Sequence, residues 1–103
     1  MKSINKIEEE AVLNELCNSG AEFITLFEKN SLSVEIYKPH LSDNQKPHDR
    51  DEFYLIISGE GKFQLLDEVT SFKKGDFLFV PAYTEHRFIQ FSEDFITWVF
   101  FIK

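Results

Sequence analysis

Apolar and polar positions alternate with a period of two along most of this chain, and only its first twenty residues depart from that rhythm. Over residues 3–18 the apolar positions recur at helical spacing instead: Ile4, Ile7 and Ala11, then the pairs Val12/Leu16 and Leu13/Cys17. The spacing predicts an amphipathic helix, with Cys17 as a small apolar residue on its buried face. Ser3 or Asn5 is placed to cap it, and Glu8, Glu9 and Glu10 would sit at its positive end. "NSG" at 18–20 is a stop signal, with Gly20 available for a left-handed cap.

Beyond Gly20 the pattern predicts strands at 22–28, 32–38, 53–58, 62–66, 69–73, 77–80, 86–91 and 95–102. Each is short and rich in β-branched and aromatic residues, and turn chemistry such as "EKNS", "SGEG", "KKGD" and "SED" separates them. With no helix between strands, an antiparallel sandwich or barrel is expected, since parallel pairing needs a crossover in each connection. "SGEG" reads as a hairpin turn in which glycine supplies positive φ, and Gly75 reads the same way. The last strand is apolar on both faces, so it must be covered twice, by the opposite sheet and by the helix or another subunit. The chain divides into an N-terminal helix, 1–20, and one β-domain, 21–103.

At 103 residues the chain fits a single domain. Twelve phenylalanines are more than one small core readily holds, which points to an apolar face for a second copy and hence to a homodimer. A net charge of −7 gives no basic footprint for nucleic acid or for an anionic membrane. No apolar run approaches the roughly 20 residues that span a bilayer, and the N-terminus does not resemble a signal peptide. The one cysteine forms no internal disulfide. A cytoplasmic location is expected.

The chemistry gathers around the long loop "PHLSDNQKPHDRD" at 39–51. If an extended strand begins before His48, then His48 and Glu52 share parity and point one way, with Tyr54 and Ile56 continuing that face. An imidazole and a carboxylate facing inward are half of a metal site. His86, opening the strand after "GDFLFVPAYTE", is placed to bring a third ligand. The bland alternative is two histidines and a glutamate hydrogen-bonded as the relic of a lost site. Lys46 is either solvated or a site residue whose ammonium replaces part of a metal's charge. His40 reads as an exposed loop histidine that could swing in as a fourth ligand. Arg50 and Arg87 read as surface charges, or as partners for a substrate carboxylate. Tyr54 and Trp98 are either core or the wall of a ligand cavity.

These residues resemble the cupins, small jelly-roll barrels whose first motif is G-x(5)-H-x-H-x(3,4)-E-x(6)-G and whose second is G-x(5)-P-x-G-x(2)-H-x(3)-N. His48, Glu52 and Gly59 match the first motif, and Gly75, Pro81 and His86 the second, over a resemblance that spans about residues 31–102. Lys46 replaces the first motif histidine, Tyr83 the second motif's inner glycine and Gln90 its asparagine. The resemblance implies an all-β fold, a double-stranded β-helix (jelly-roll) barrel carrying one N-terminal α-helix. It also implies a divalent transition metal (iron, manganese, nickel or zinc) on His48, Glu52 and His86 and a small-molecule ligand, for which Lys46, Tyr54, Gln90 and Trp98 are this chain's candidate contacts. Three functions stay open: an oxygenase- or isomerase-like metalloenzyme, a non-catalytic ligand-binding module, and a homodimer with a vestigial site.

Overall fold

The computed structural model of the protein describes residues 6–43 and 45–103, so the caps proposed at Ser3 and Asn5, and Ile4, lie outside the described residues. The helix α1 runs Glu9–Ser19, shorter than the periodicity suggested, with Glu9 and Glu10 in its first turn. It ends as expected at Gly20, whose φ of 71° and ψ of 5° form a left-handed cap. The helix is anchored by the buried Val12 and Leu16, one turn apart, with Leu13 partly buried beside them. Cys17 is exposed, contrary to expectation. One step of the helix past Leu16 turns it about 100° from the narrow docking stripe. No helix of the described residues is long and apolar enough to cross a membrane.

Eight strands follow among the described residues: β1 Phe23–Lys29, β2 Leu32–Tyr37, β3 Asp51–Ser58, β4 Glu60–Leu65, β5 Glu68–Lys73, β6 Phe77–Val80, β7 His86–Ile89 and β8 Ile96–Ile102. They form a five-stranded sheet, β1-β2-β8-β3-β6, and a three-stranded sheet, β5-β4-β7. The strand pairs are antiparallel, and the architecture is the all-β jelly roll. Period-two alternation decides which residues lie between the sheets. Tyr54, Ile56, Val80, Val99 and Phe101 from the larger sheet meet Phe63, Phe72 and Phe88 from the smaller, with Phe95 joining them. On the other face of the larger sheet, Ile36 packs with Val12 and Leu16 of α1. The two-faced β8 is thus covered inside by the opposite sheet and at one end outside by the helix.

Two turn signatures mark crossings between the sheets instead of hairpins: Gly75 keeps the expected positive φ, 90°, but joins β5 of the smaller sheet to β6 of the larger. "SGEG" does not close a hairpin: β3 belongs to the five-stranded sheet and β4 to the three-stranded one, so the segment carries the chain between them. Gly59 has φ of 86°, and a Cβ there would lie 2.5 Å from Phe95 Cα. Gly61 has no positive φ, and a Cβ on it would lie 2.7 Å from Phe91 Cα. Close backbone approach at the crossing, more than turn chemistry, demands these glycines. Gly59→Ala should therefore combine a left-handed strain of about 1–2 kcal/mol with an overpacking cost of about 1–3 kcal/mol. Gly20→Ala, where no atom lies within 4 Å of the new methyl group, should show the strain alone. Urea denaturation of both variants checks the contrast, and equal losses would contradict it.

Candidate metal centre

Glu52 is the second residue of β3, opposite Val80 of β6 and Phe101 of β8, and parity turns it inward with Tyr54 and Ile56. His86 is the first residue of β7, opposite Leu65. The two strands lie in different sheets, so the carboxylate and imidazole face each other across the barrel interior. Glu52 is 1% exposed and His86 3%.

His48 reaches the same point by another route than parity. The strand begins at Asp51, so His48 stands in the loop before it and not on the strand. Its carbonyl accepts a hydrogen bond of 2.6 Å from the Tyr83 amide, and its ring meets Phe101 edge-on at 5.0 Å. Tyr83 has φ of 64° and Gln90 φ of 51°. The substituted motif positions thus keep the left-handed backbone that glycine and asparagine favour, at some steric cost.

The three ligand-type atoms lie within 4.8 Å of one another. His86 Nε2 is 3.0 Å from Glu52 Oε1, and His48 Nε2 is 3.7 Å from the same oxygen. The closer pair has ion-pair separation but not hydrogen-bond alignment. Glu52 Oε1 and Oε2 and His86 Nε2 are buried with no hydrogen-bond partner among the described residues. A buried carboxylate left in that condition costs several kcal/mol. The Nδ1–H of His86 donates to the Thr84 carbonyl at 2.8 Å, which fixes the ring and aims Nε2 at the centre. These residues fit a divalent cation: an ion pair would neutralise Oε1 and Nε2 of His86 but leave Glu52 Oε2 without a partner among the described residues.

In the metal-free site the same carboxylate favours a proton on His86, which a bound cation would displace. Burial is the largest single influence on His86 and lowers its pKa. The adjacent Glu52 carboxylate, the Thr84 carbonyl and the charge of Asp43 outweigh it, so the imidazole is held above its ordinary 6.5. Tyr54 is pushed well above the usual phenol range, first by burial and then by the Glu52 charge, so it stays a hydroxyl donor.

A cavity of about 250 Å³ opens beside the triad, lined among others by Glu35, Tyr37, Gln45, His48, Arg50 and Glu52. Burial raises the Glu35 pKa, against the opposing pull of a Thr25 hydrogen bond and Arg50. The Arg50 guanidinium lies over Phe101, 4.6 Å from the ring centroid. Of the further residues expected from sequence, Tyr54 alone reaches the centre, its hydroxyl 3.3 Å from Gln45 Oε1. Lys46 is exposed, outside the cavity walls, because the loop is not an extension of β3. Gln90 is exposed and borders a different cavity, with Glu60 and Lys62. Trp98 has the parity of Ile36 and Leu55, its register partners, and so lies on the outer face of the sheet. His40 is exposed and sits 3.8 Å from Glu22, away from the triad. Gln45, Asp43 and Glu35 carried no recognisable signal, since acids and amides in a polar loop or at a strand edge are usually solvated.

The cupin-domain family model matches residues 33–102. The chain belongs to the cupin family. It is 38% identical over 79 residues to the uncharacterized protein SCO3923 of Streptomyces coelicolor, covering 75% of this chain and 74% of that one. A cupin-2 domain protein of Shewanella frigidimarina superposes with a TM-score of 0.69 at 16% identity, covering 88% of this chain and 92% of that one. KdgF of Halomonas sp. gives 0.67 at 16% identity, covering 79% and 77%. The DMSP lyase DddQ of Ruegeria pomeroyi gives 0.69 at 20% identity, covering 79% of this chain and 46% of that one. These structural likenesses concern the fold.

The raised pKa of His86 has a consequence for stability in chelator-treated protein. A histidine with folded pKa above its unfolded value stabilises fully below about 6.5 and loses that contribution as pH rises through the folded value. The stability difference between wild type and His86→Gln in urea should be largest on the acid side and shrink above it. A difference independent of pH would contradict the assignment.

Proposed function

We propose that the chain is a small cupin metalloprotein in which His48, Glu52 and His86 hold a divalent transition metal (iron, manganese, nickel or zinc) at the barrel mouth. On this reading it acts on a small organic molecule in an oxygenase- or isomerase-like reaction. The supporting observation is the convergence of three ligand-type side chains, of which Glu52 Oε1 and Oε2 and His86 Nε2 are buried without a hydrogen-bond partner among the described residues. When bound, such an ion supplies Lewis-acid polarisation and a template for the substrate. The chain's own residues do the rest. Arg50 lines the cavity and offers a planar fork to a carboxylate. Tyr54, buried behind the cavity, donates its neutral hydroxyl to the cavity-lining Gln45. The cavity of about 250 Å³ is smaller than those that enclose drug-sized ligands, about 300–1,000 Å³, which favours a compact substrate.

The exposure of Lys46 leaves the first motif position without a ligand, which favours a second reading: a module that binds its small ligand without turnover. Binding without product formation in oxygenase and isomerase assays selects that module.

Untagged protein at a metal concentration one hundred times Kd should gain about 2.7 kcal/mol. For a domain of this size the gain equals about 10–20 °C in melting temperature. His86→Ala and Glu52→Ala should lose the shift, and His40→Ala should keep it. Failure of iron, manganese, nickel and zinc alike to move the wild-type transition would rule out the metal reading.

We further propose a homodimer formed through the outer face of β8, β3 and β6. Phe77 is 60% exposed, Phe79 46%, Ile102 42% and Leu55 38%, and register makes them neighbours. The helix covers only the other end of the sheet, around Ile36, Ile57 and Ile96. The occupant is a second copy: two such nearly uncharged faces can meet without opposing like charges, which a net charge of −7 imposes on self-contacts elsewhere on the surface. Among outward positions on these strands Asp51 alone is charged, and it is engaged by the Ala82 amide at 2.9 Å. Light scattering at micromolar concentration should give twice the chain mass, and Phe79→Glu should give the chain mass. A monomeric wild type would refute the dimer.

A further inference from the structure

Gln45 stands one residue before the position of the missing motif histidine, and its side chain points at the triad while that of Lys46 does not. Its Oε1 is 3.2 Å from His48 Nε2 and 3.3 Å from the Tyr54 hydroxyl. Its Nε2 is 3.0 Å from Asp43 Oδ2.

Asp43 decides which end of the amide faces the centre. This residue is 4% exposed, and four donors converge on its two oxygens. They are the Tyr37 hydroxyl at 2.8 Å, the Phe88 amide at 2.8 Å, the Gln45 backbone amide at 3.3 Å and the Gln45 side-chain NH₂. A carboxylate so placed accepts only. Turning the Gln45 amide over would set its carbonyl against the carboxylate, so the NH₂ faces Asp43 and the carbonyl oxygen faces His48 and Tyr54. That oxygen has two lone pairs: one accepts from the Tyr54 hydroxyl and the other is hydrogen-bonded to the His48 Nε2, so a metal would take the place of the His48 proton between the two atoms.

We propose that Gln45 Oε1 is a fourth protein ligand of the centre, with Asp43 as the positioning residue that fixes the amide. The inference rests on the metal reading. Two atoms bound to one ion at about 2.1 Å lie about 3.0 Å apart at a right angle and about 3.4 Å at a tetrahedral one. The Gln45–His48 separation of 3.2 Å and the Glu52–His86 separation of 3.0 Å both have that size. The ligand set becomes two imidazoles, one carboxylate and one amide oxygen. Relative to a third imidazole, the neutral oxygen favours harder ions such as ferrous iron or manganese over softer ones.

Metal-stripped full-length protein should be titrated with Mn²⁺, with the free ion followed by electron paramagnetic resonance. Co²⁺ absorption would report the coordination sphere. Wild type should bind both ions and His86→Ala neither. Gln45→Ala should weaken Mn²⁺ binding about 10–100-fold and change the Co²⁺ spectrum. Gln45→Met, which keeps the length without the carbonyl, should do the same and guards against a folding loss. Asp43→Asn should weaken Mn²⁺ binding in the wild-type background but add nothing to Gln45→Ala, because both act through one amide. If both Gln45 variants match wild type in affinity and spectrum while His86→Ala loses the metal, Gln45 is no ligand and the three-residue site stands. If wild type takes up neither ion, the metal reading falls with it.

Discussion

A carboxylate turned into the space between two β-sheets is the constraint on which the rest of this structure depends. Glu52 sits among Tyr54, Val80 and Phe101 at 1% exposure, where an unpaired charge is far costlier than any single apolar contact is favourable. Nothing in the packing requires an acid there, and an apolar residue of similar volume would serve the core better. The surroundings are instead arranged around the charge. His86 arrives from the opposite sheet with its Nδ1 already committed to the Thr84 carbonyl, and His48 comes from the loop with its backbone tied to Tyr83.

A second buried acid organises the other half of the site. Asp43 reaches from an irregular loop to the Phe88 amide in β7, the edge strand of the small sheet, and to the hydroxyl of Tyr37 at the end of β2. It thereby clips the loop over the barrel mouth, and loop order and site geometry become one property. A loop rich in prolines and polar residues holds a defined arrangement because its orphan backbone donors and amide groups find a buried acceptor.

The fold was largely legible in the chain, and each miss has a particular cause. Alternation in β4, with Phe63 and Leu65 on one face and Lys62 and Gln64 on the other, showed which residues face the core, whereas β3 and β8 are apolar on both faces and only the sheet packing decides between them. "SGEG" was misread as a hairpin turn because glycines at a chain crossing look like glycines in a turn. The difference lies in Phe91 and Phe95, thirty residues away. Cys17 and Leu16 are adjacent letters of one apolar pattern, and only the docking angle of α1 decides which of them is covered. Trp98 looked like a cavity wall because an aromatic residue suits either face of a strand.

By itself the sequence determined the antiparallel all-β class, the helix stop at Gly20 and the three residue types His48, Glu52 and His86, because periodicity and motif spacing are properties of short segments. Tertiary structure alone decided that His48 reaches the site from a loop and that Gln45, not Lys46, lies beside it. It also placed Gln90 and Trp98 elsewhere. Outside regular strands no period links side-chain direction to sequence position. There a residue's orientation follows from distant partners, here the Phe88 amide that holds Asp43 under Gln45 and the Tyr83 amide that holds His48, which no local pattern contains.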